Sequence, residues 1–391
     1  MDKKILYVCN SAAIAARFRL PLLKGALKEG YSVDCICGDG VDVDANIARM
    51  EAIGVAVHRL PGLEADGLSL GQLRSQARDI AAILDRVQPE IVHAFTHRAN
   101  IASFLALRGR PEIRFIPNVT GAGRLFGADL SLRDRLARYA LLRFYRAMAG
   151  RCECIFFQND DDLGEIGGAM QLPHSRLRLT GGSGFDPSEV EFDQAAEVTA
   201  YRRLLAQSHG IAENKRMFLL PARALRTKGV EEFYTAAGRY LDLFDDAVFV
   251  HAGEAGRPPY GLAREELQAW QRPGLHYVGF HQDIYRLVNA ADVVVLPSSY
   301  REGIPRALIE ALYFGKSVLT TDNTGCREAV IDGWNGVLFK PKSSQALLTA
   351  FVAAQRIDAG RAGNNSRRLF ARRFHADAVV NVYLGQYRAA V

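Results

Sequence analysis

The chain of 391 residues contains no run of about eighteen apolar residues, the length that a membrane-spanning helix requires. Its amino terminus, Met1-Asp2-Lys3-Lys4 ahead of a short apolar stretch, lacks the apolar core and the cleavage site of a signal peptide. Its six cysteines include no CxxC pair and no zinc-type spacing. These absences predict a cytoplasmic protein without a structural zinc, and they leave peripheral contact with the inner face of the plasma membrane open.

The cysteines are expected to be reduced and buried, because the two C-x-C pairs lie in or beside apolar strands. The net charge of +6 and the pI near 9.0 are compatible with nucleic acid, nucleotides or anionic membranes as partners. No RRM-like aromatic pattern, zinc finger or basic tail is present, so we expect no nucleic-acid partner.

The length favours two domains, each with its own core. In both halves short apolar runs alternate with longer amphipathic ones, which predicts α/β domains with mostly parallel sheets. Between the two series, the Gly-rich segment 181–184 is followed by a polar and acidic stretch, 186–197, which is the candidate linker. We therefore predict an amino-terminal domain over 1–185 and a carboxy-terminal domain over 186–371. The final helical segment, 372–391, can pack back on the first domain or cap the second.

Two glutamates lie across a loop-to-helix junction after the apolar strand 293–297. Such a junction is the usual location of a ligand site in a doubly wound sheet. Pro305 is predicted to be the first helical residue, which leaves the amides of Arg306 and Ala307 able to face an anion. Glu302 then lies in the loop and Glu310 in the helix, a mixed site that suits a sugar nucleotide. The alternative is two solvated side chains.

A loop with three cations, 221–230, follows the first strand of the second series. Arginine offers a planar fork for diphosphate oxygens and lysine a compact charge, so Arg223 and Lys228 are candidates for a phosphate clamp. Taken singly, basic residues at a strand end are usually surface groups that favour solubility.

With these residues and the segments 324–328 and 332–338, the carboxy-terminal half resembles family 4 of the retaining glycosyltransferases. In the amino-terminal half, segments 18–22, 91–96, 118–126 and 157–159 resemble bacterial enzymes that extend undecaprenyl-diphosphate-linked sugars in O-antigen, capsule or glycoprotein assembly. The resemblance implies the GT-B fold: two Rossmann-like domains that face a central cleft. It implies a UDP-sugar donor, a lipid-linked glycan acceptor and transfer of a hexose or N-acetylhexosamine with retention.

The resemblance also implies roles for particular residues. Arg223 and Lys228 would bind the diphosphate, Glu302 would lie near the transferred sugar, and Glu310 would bind the ribose hydroxyls. The remaining donor-site residues are Gly303, Ile304, Arg306 and Ala307, of which Gly303 allows close approach of the backbone to the sugar. No cofactor and no metal are expected, because GT-B enzymes generally act without a bound metal ion.

The amino-terminal half carries the acceptor-side candidates. His93 matches one place of a His-x-His pattern found in relatives, whereas Phe95 occupies the second place; a structural and a catalytic role for His93 both remain open. Thr120, Gly121 and Gly123 are predicted to line the cleft on the acceptor side. This loop lacks the third glycine of the dinucleotide-binding fingerprint. The alternative to a cleft-lining role is a plain glycine turn.

Two further features allow more than one interpretation. The run Asp160-Asp161-Asp162 resembles a DxD metal site, but its position before a helical stretch favours helix capping. The segment 130–148 is a basic amphipathic helix, which can lie on an anionic bilayer beside a lipid-linked acceptor or simply pack on its own domain.

Two other functions stay open beside the glycosyltransferase. One keeps the fold but changes the reaction, as in a GT-B sugar-nucleotide epimerase or a phosphorylase. The other is a noncatalytic nucleotide-binding protein whose basic character comes from phosphate contacts. Release of UDP that depends on a glycan acceptor distinguishes the transferase from both.

Overall fold

The computed structural model describes residues 3–65, 67, 69–127 and 130–389. Positions 1, 2, 66, 68, 128, 129, 390 and 391, which the predicted domain ranges include, lie outside the described residues. The chain divides into two compact units. Unit 1 comprises Met1–Gly184 and Ala376–Val391, and unit 2 comprises Phe185–His375. Each unit is an α/β structure with a parallel sheet, so the predicted class is confirmed.

The strands of unit 1 form one parallel sheet, which has seven strands among the described residues. They are β1 (Lys4–Cys9), β2 (Ser32–Cys37), β3 (Ala56–Arg59), β4 (Ile91–Phe95), β5 (Arg114–Val119), β6 (Ile155–Phe157) and β7 (Leu177–Leu179). Their spatial order is β3-β2-β1-β4-β5-β6-β7. The order reverses between β1 and β4, which makes this pair the topological switch point of the sheet, where ligands of doubly wound folds bind.

Helices cover both faces of this sheet. They are α1 (Ala12–Phe18), α2 (Leu20–Lys28), α3 (Val43–Glu51), α4 (Leu70–Val87), α5 (His97–Ala106), α6 (Leu132–Met148), α7 (Asp160–Asp162), α8 (Gly168–Met170) and α16 (Ala376–Arg388). Helices α4, α5 and α6 contribute to the core on one face. Helices α1, α2 and α16 contribute to the core on the other face. Because both faces are covered, the central strands are buried along almost their whole length.

Unit 2 repeats the plan with a parallel sheet of six strands in the part of the chain that the structure describes. They are β8 (Arg216–Pro221), β9 (Ala247–Ala252), β10 (Leu275–Gly279), β11 (Val293–Leu296), β12 (Ser317–Thr321) and β13 (Gly336–Phe339). The helices are α9 (Gln194–His209), α10 (Val230–Leu241), α11 (Arg264–Ala269), α12 (Ile284–Ala290), α13 (Arg306–Tyr313), α14 (Ser344–Ala354) and α15 (Ala359–Arg373). The order β10-β9-β8-β11-β12-β13 places its switch point between β8 and β11.

The predicted local structure is wrong in three places. The helix predicted from residue 372 onward is interrupted, since α15 ends at Arg373 and α16 begins at Ala376. The acidic stretch 186–197 contains a 3-10 turn, Pro187–Glu189, and the start of α9 rather than an open linker. Strand β3 was missed because it is a short edge strand, half-exposed at its centre, without an apolar run.

The cysteines follow the prediction: all six are free thiols buried in the fold. Within the described residues, no helix combines the length and the hydropathy needed to cross a bilayer.

Candidate functional site

Two loops meet at the switch point of unit 2, one after β8 and one after β11. Ser299 donates its backbone N–H to the carbonyl oxygen of Thr227 at 2.9 Å, and the Ser298 hydroxyl oxygen lies 3.2 Å from the same carbonyl oxygen. Gly229 has φ +74°, and a Cβ there would stand 2.2 Å from the carbonyl oxygen of Pro297. Only glycine tolerates both the conformation and the contact, so the two loops are held backbone to backbone.

This contact brings Lys228 and Glu302 together. The Lys228 ammonium donates to Glu302 Oε1, and the Ser298 hydroxyl donates to the same oxygen at 3.0 Å. The two charged side chains are 21% and 14% exposed. Residues predicted to bind the diphosphate and the sugar therefore lie in direct contact and partly out of water, where an ion pair is stronger than at the surface.

The other two cations of the loop after β8 have different surroundings. Arg223, two residues after the end of β8, is exposed. Arg226 instead pairs with Glu231 and approaches Glu266 at 3.5 Å. The sequence prediction named Arg223 and Lys228 and left out Arg226, which in the structure supports the loop through its carboxylate partners.

The helix start after β11 lies one residue later than predicted. Pro305 has φ −62° and ψ 124°, an extended conformation, and is the N-cap of α13. The helix begins at Arg306. Leu308 donates its N–H to the carbonyl oxygen of Pro305 at 3.0 Å, and Ala307, one residue earlier, has no helical residue four positions before it to accept its N–H. Ile304 is buried and Gly303 half-buried. Gly325, in the loop after β12, packs so closely that a Cβ there would stand 1.8 Å from the carbonyl oxygen of Gly303.

Arg306 and Glu310 form a buried ion-pair network with Glu189. Arg306 Nε donates to Glu310 Oε1 at 3.1 Å, and its Nη2 donates to both oxygens of Glu189 at 2.9 and 2.8 Å. Tyr285 donates its hydroxyl to Glu189 Oε2 at 2.9 Å, and the Arg306 guanidinium lies 4.8 Å from the ring centre of Phe185. Burial disfavours the guanidinium charge, but Glu310 and then Glu189 outweigh burial and raise the pKa of Arg306.

The predicted ribose-binding residue, Glu310, belongs to this network and is 3% exposed. Its carboxylate is oriented by Arg306, one helical turn earlier. Sequence reasoning assigned Arg306 only a backbone role and missed Glu189, which falls in the stretch interpreted as a linker. No local pattern indicates this pairing, because Glu189 lies 117 positions from Arg306.

His251 supports the loop after β8 from the neighbouring strand β9. Its Nε2 lies 2.9 Å from the carbonyl oxygen of Ala222, and its Nδ1 lies 3.2 Å from the Tyr234 hydroxyl. A carbonyl oxygen only accepts, so Nε2 carries the proton and Nδ1 accepts from Tyr234. Burial lowers the pKa of His251 to about 4, so the ring is neutral at neutral pH.

The stability of unit 2 is therefore expected to depend on the protonation of His251. The folded protein binds this proton only below about pH 4, whereas the unfolded chain binds it below about pH 6.5. The unfolded state holds more protons across that window, so stability falls as the pH drops through it. Between pH 7.5 and 5.0 the wild type is expected to lose about 2 kcal/mol more than His251→Asn. Urea unfolding of both proteins at the two pH values measures the difference, and equal losses would contradict the prediction.

In unit 1, His93 lies in β4 with no exposed surface. Its Nδ1 lies 2.5 Å from the Tyr387 hydroxyl of α16, and its ring stacks on Phe95 with 4.2 Å between ring centres. Burial, and then the charge of Arg19, lowers the pKa of His93 well below its usual value. Of the two roles left open for His93, this environment favours the structural one, which fastens α16 to the sheet.

The glycine loop after β5 is fastened from two sides. Gly121 and Gly123 have φ values of +143° and +70°, and Thr120 at the end of the strand is half-exposed. Between the glycines, Ala122 donates its N–H to Asp162 Oδ2 at 2.9 Å, and its carbonyl oxygen lies 3.1 Å from His97 Nε2. The candidate acceptor-side residues thus form a defined loop in unit 1.

Asp162 explains one of the ambiguous features. Asn159, not an aspartate, is the N-cap of α7, since its Oδ1 accepts the N–H of Asp162 at 2.8 Å. The three aspartates occupy the first turn, where negative charge is favourable. The capping prediction is therefore wrong about which residue caps. Asp162, fully buried, instead positions the glycine loop.

Helix α6 presents two opposite apolar stripes. Leu141, Tyr145 and Met148 are buried against the sheet. On the opposite side Leu132, Leu136 and Tyr139, spaced at i, i+4 and i+7, are 75%, 63% and 64% exposed. Exposed arginines surround this second stripe: Arg133, Arg135, Arg143 and Arg146.

Comparisons with known proteins cover both units. A family described as "Glycosyl transferases group 1" matches residues 202–356, and one described as "Glycosyl transferase 4-like" matches residues 4–158. A Campylobacter jejuni N,N'-diacetylbacillosaminyl-diphospho-undecaprenol α-1,3-N-acetylgalactosaminyltransferase is 27% identical over 273 residues, 68% of each chain. An Escherichia coli UDP-Gal:α-D-GlcNAc-diphosphoundecaprenol α-1,3-galactosyltransferase is 24% identical over 169 residues, 42% of this chain and 43% of its own.

Among solved structures, HepE of Anabaena in complex with UDP and glucose superposes with a TM-score of 0.71. It is 18% identical and covers 100% of both chains. At this identity the likeness concerns the fold alone, and it agrees with the two Rossmann-like units described above.

Proposed function

We propose that this chain, a family 4-like glycosyltransferase of the GT-B fold that acts on lipid-linked glycans in polysaccharide biosynthesis, uses a UDP-sugar as its donor. In this proposal it transfers a hexose or N-acetylhexosamine with retention. The acceptor in this proposal is a sugar linked to undecaprenyl diphosphate. The observation that carries the proposal is the contact between Lys228 and Glu302 at the switch point of unit 2. It joins a cation for phosphate with a carboxylate for hydroxyls at the place where doubly wound sheets bind ligands.

In the proposed complex, the donor diphosphate lies beside Arg223, Lys228 and the first amides of α13. Anionic oxygens suit each of these groups, and the helix end adds a favourable dipole. Lys228 then exchanges its contact with Glu302 for the diphosphate, so that the carboxylate can accept a hydroxyl of the sugar. Glu310, oriented by Arg306, accepts from the ribose hydroxyls.

The proposed reaction breaks the bond between the anomeric carbon and the diphosphate oxygen, and forms a bond from that carbon to the acceptor oxygen on the same face. The acceptor proton moves to the departing diphosphate. Negative charge grows on that diphosphate as the bond breaks, so preorganised cations stabilise the transition state more than the ground state. This chemistry needs no nucleophilic side chain.

We further propose that transfer needs no bound divalent cation, because Arg223, Lys228 and the helix amides supply the positive charge at the diphosphate. The carboxylate of Asp162, in the run that resembles a metal site, instead accepts the N–H of Ala122 and the amide of Asn159. Turnover in EDTA is expected to equal turnover without it. Complete loss of activity in EDTA, restored by Mn²⁺, would contradict this.

We also propose that the exposed stripe of α6 rests on an anionic bilayer. The three apolar side chains can enter the interface while the surrounding arginines meet lipid phosphates. The protein is expected to float with vesicles that contain phosphatidylglycerol, and Leu132→Glu/Leu136→Glu to bind them at least about tenfold more weakly, since each change removes apolar burial and adds repulsion. Leu204→Glu, at a leucine of α9 that is 51% exposed, is the matched control. Equal binding by the α6 variant and the control would refute membrane docking by α6.

The proposed function is tested by screening UDP-sugars for binding by thermal shift and then offering the best donor to a panel of undecaprenyl-diphosphate sugars. A glycosyltransferase forms UDP and an extended acceptor in equal amounts. An epimerase changes the donor without an acceptor. UDP binding that survives Glu302→Ala, without transfer by the wild type to any acceptor of the panel, would favour a noncatalytic nucleotide-binding protein.

A further inference from the structure

A second cluster of polar groups lies at the switch point of unit 1. Asn10 follows β1 directly and Thr96 follows β4, and these two strands are neighbours in the sheet. Asn118 lies near the end of β5, the next strand over. The carboxyl ends of adjacent parallel strands meet at one edge of the sheet, so these three residues share that edge.

Arg19 contributes an enclosed positive charge to this edge. It lies between α1 and α2, is 3% exposed, and places its guanidinium carbon 4.2 Å from the ring centre of Phe95, the last residue of β4. Its Nε is enclosed without a hydrogen-bond partner, and no ion pair joins it to a carboxylate among the described residues. The aromatic ring compensates only part of the cost of burying a guanidinium.

The end of β1 is close to the same charge. The pKa of the Cys9 thiol is lowered by a hydrogen bond with Cys35 and by the charge of Arg19, although burial opposes this shift. Cys9 is the last residue of β1. Arg19 therefore lies against the end of β4 and close enough to the end of β1 for its charge to act there.

Three oxygen atoms at this edge also lack partners. Thr96 Oγ1, Asn10 Oδ1 and Asn118 Oδ1 are enclosed and form no hydrogen bond with the described residues. Thr96 also has φ +80°, a conformation that costs a β-branched residue about 1–3 kcal/mol. Such strain and such unmatched polar groups persist mainly where a ligand uses them.

We propose that this edge, comprising Arg19, Asn10, Thr96 and Asn118, binds the acceptor through an oxyanion on Arg19 and through sugar hydroxyls on the three oxygens. The guanidinium fork matches a phosphate or a carboxylate, whereas amide and hydroxyl oxygens accept from hydroxyl groups. The site rests on the proposed function, because it assigns a charged group to the acceptor of that reaction. It is distinct from the glycine loop after β5.

Binding can be measured without turnover by calorimetric titration of the full chain with saturating UDP, which keeps the donor site occupied. The probes are N-acetylglucosamine 1-phosphate, the methyl glycoside of glucuronic acid and the uncharged methyl glycoside of N-acetylglucosamine. The wild type is expected to bind at least one charged probe about 10- to 100-fold more tightly than the uncharged one, as one charge-assisted contact implies. The preferred charged probe identifies the oxyanion as phosphate or carboxylate.

Arg19→Gln is expected to bring the charged and uncharged probes to within about twofold of each other, while the affinity for UDP stays unchanged. Arg17→Gln, an equal loss of charge at an exposed position of α1, is the control and is expected to keep the preference. If Arg19→Gln does not fold, Asn10→Asp serves instead, because a carboxylate there competes for the guanidinium and must abolish the preference.

Three results would overturn the assignment: no preference in the wild type, a preserved preference in Arg19→Gln or Asn10→Asp, or an equal loss in Arg17→Gln. Transfer assays on the wild type test the proposed function separately. A protein that transfers sugar but shows no charge preference would retain the proposed function and lose this site.

Discussion

Lys228→Ala is expected to lower kcat for sugar transfer by about 10²- to 10³-fold, the loss typical of removing one preorganised group that stabilises developing charge. Lys228 follows β8 and contacts Glu302 at the switch point of unit 2. Its ammonium is 21% exposed at the side chain, so its interaction with a departing diphosphate is screened less than at a free surface. The substitution leaves the carboxylate of Glu302 but removes the cation. Steady-state kinetics with the best UDP-sugar measure the effect.

Arg226→Ala is the matched control for Lys228→Ala. Arg226 belongs to the same loop and carries the same charge, but it pairs with Glu231 and is 43% exposed at the side chain. Exposed ion pairs contribute little, so the control is expected to change kcat by less than about fivefold. Equal losses in the two variants would show that total charge, rather than the position of Lys228, supports the reaction.

Arg306→Met is expected to destabilise unit 2 by about 3–5 kcal/mol, because removing one partner of a buried ion pair leaves the other charge uncompensated. Arg306 is 8% exposed at the side chain, and it joins Glu310, 3% exposed, to Glu189. The same change frees the carboxylate that is proposed to bind ribose, so KM for the donor is expected to rise together with the loss of stability. Urea unfolding and donor titration measure the two effects.

Two further variants test whether the loss of stability comes from this buried network or simply from the loss of one arginine charge. Arg306→Met/Glu310→Met removes both the cation and the more buried carboxylate, and is expected to recover part of the stability without recovering donor affinity. Arg272→Met breaks an exposed pair with Asp242, 2.7 Å apart, and is expected to cost about 1 kcal/mol or less. A loss in Arg306→Met no larger than in Arg272→Met would contradict the structural role of the network.

The strands and loops that depend on local sequence pattern could be predicted from the sequence. Apolar runs predicted the central strands because strands covered on both faces are apolar throughout. The loop after β8 and the loop-to-helix junction after β11 were placed correctly at strand ends. Since these two strands proved to be neighbours in the sheet, Lys228 and Glu302, which lie 74 positions apart, came into contact.

Contacts between distant positions could not be predicted in this way. Tyr387 reaches His93 across 294 positions, and Asp162 reaches Ala122 across 40, with no periodic pattern to indicate either pair. Glu189 was assigned to a linker because acidic composition is typical of exposed chain, yet in its pair with Arg306 its side chain is only 20% exposed. Such pairs depend on the packing of whole elements, which single-sequence patterns do not encode.

The proposed transfer is tested most directly by following UDP release and product formation with one α-linked UDP-sugar, with and without an undecaprenyl-diphosphate sugar, and by assigning the new linkage by NMR. The mechanism predicts that UDP forms only with the acceptor, in equal amount to the extended glycan, and that the new linkage is α. UDP release that is independent of the acceptor, or a β-linked product, would contradict it.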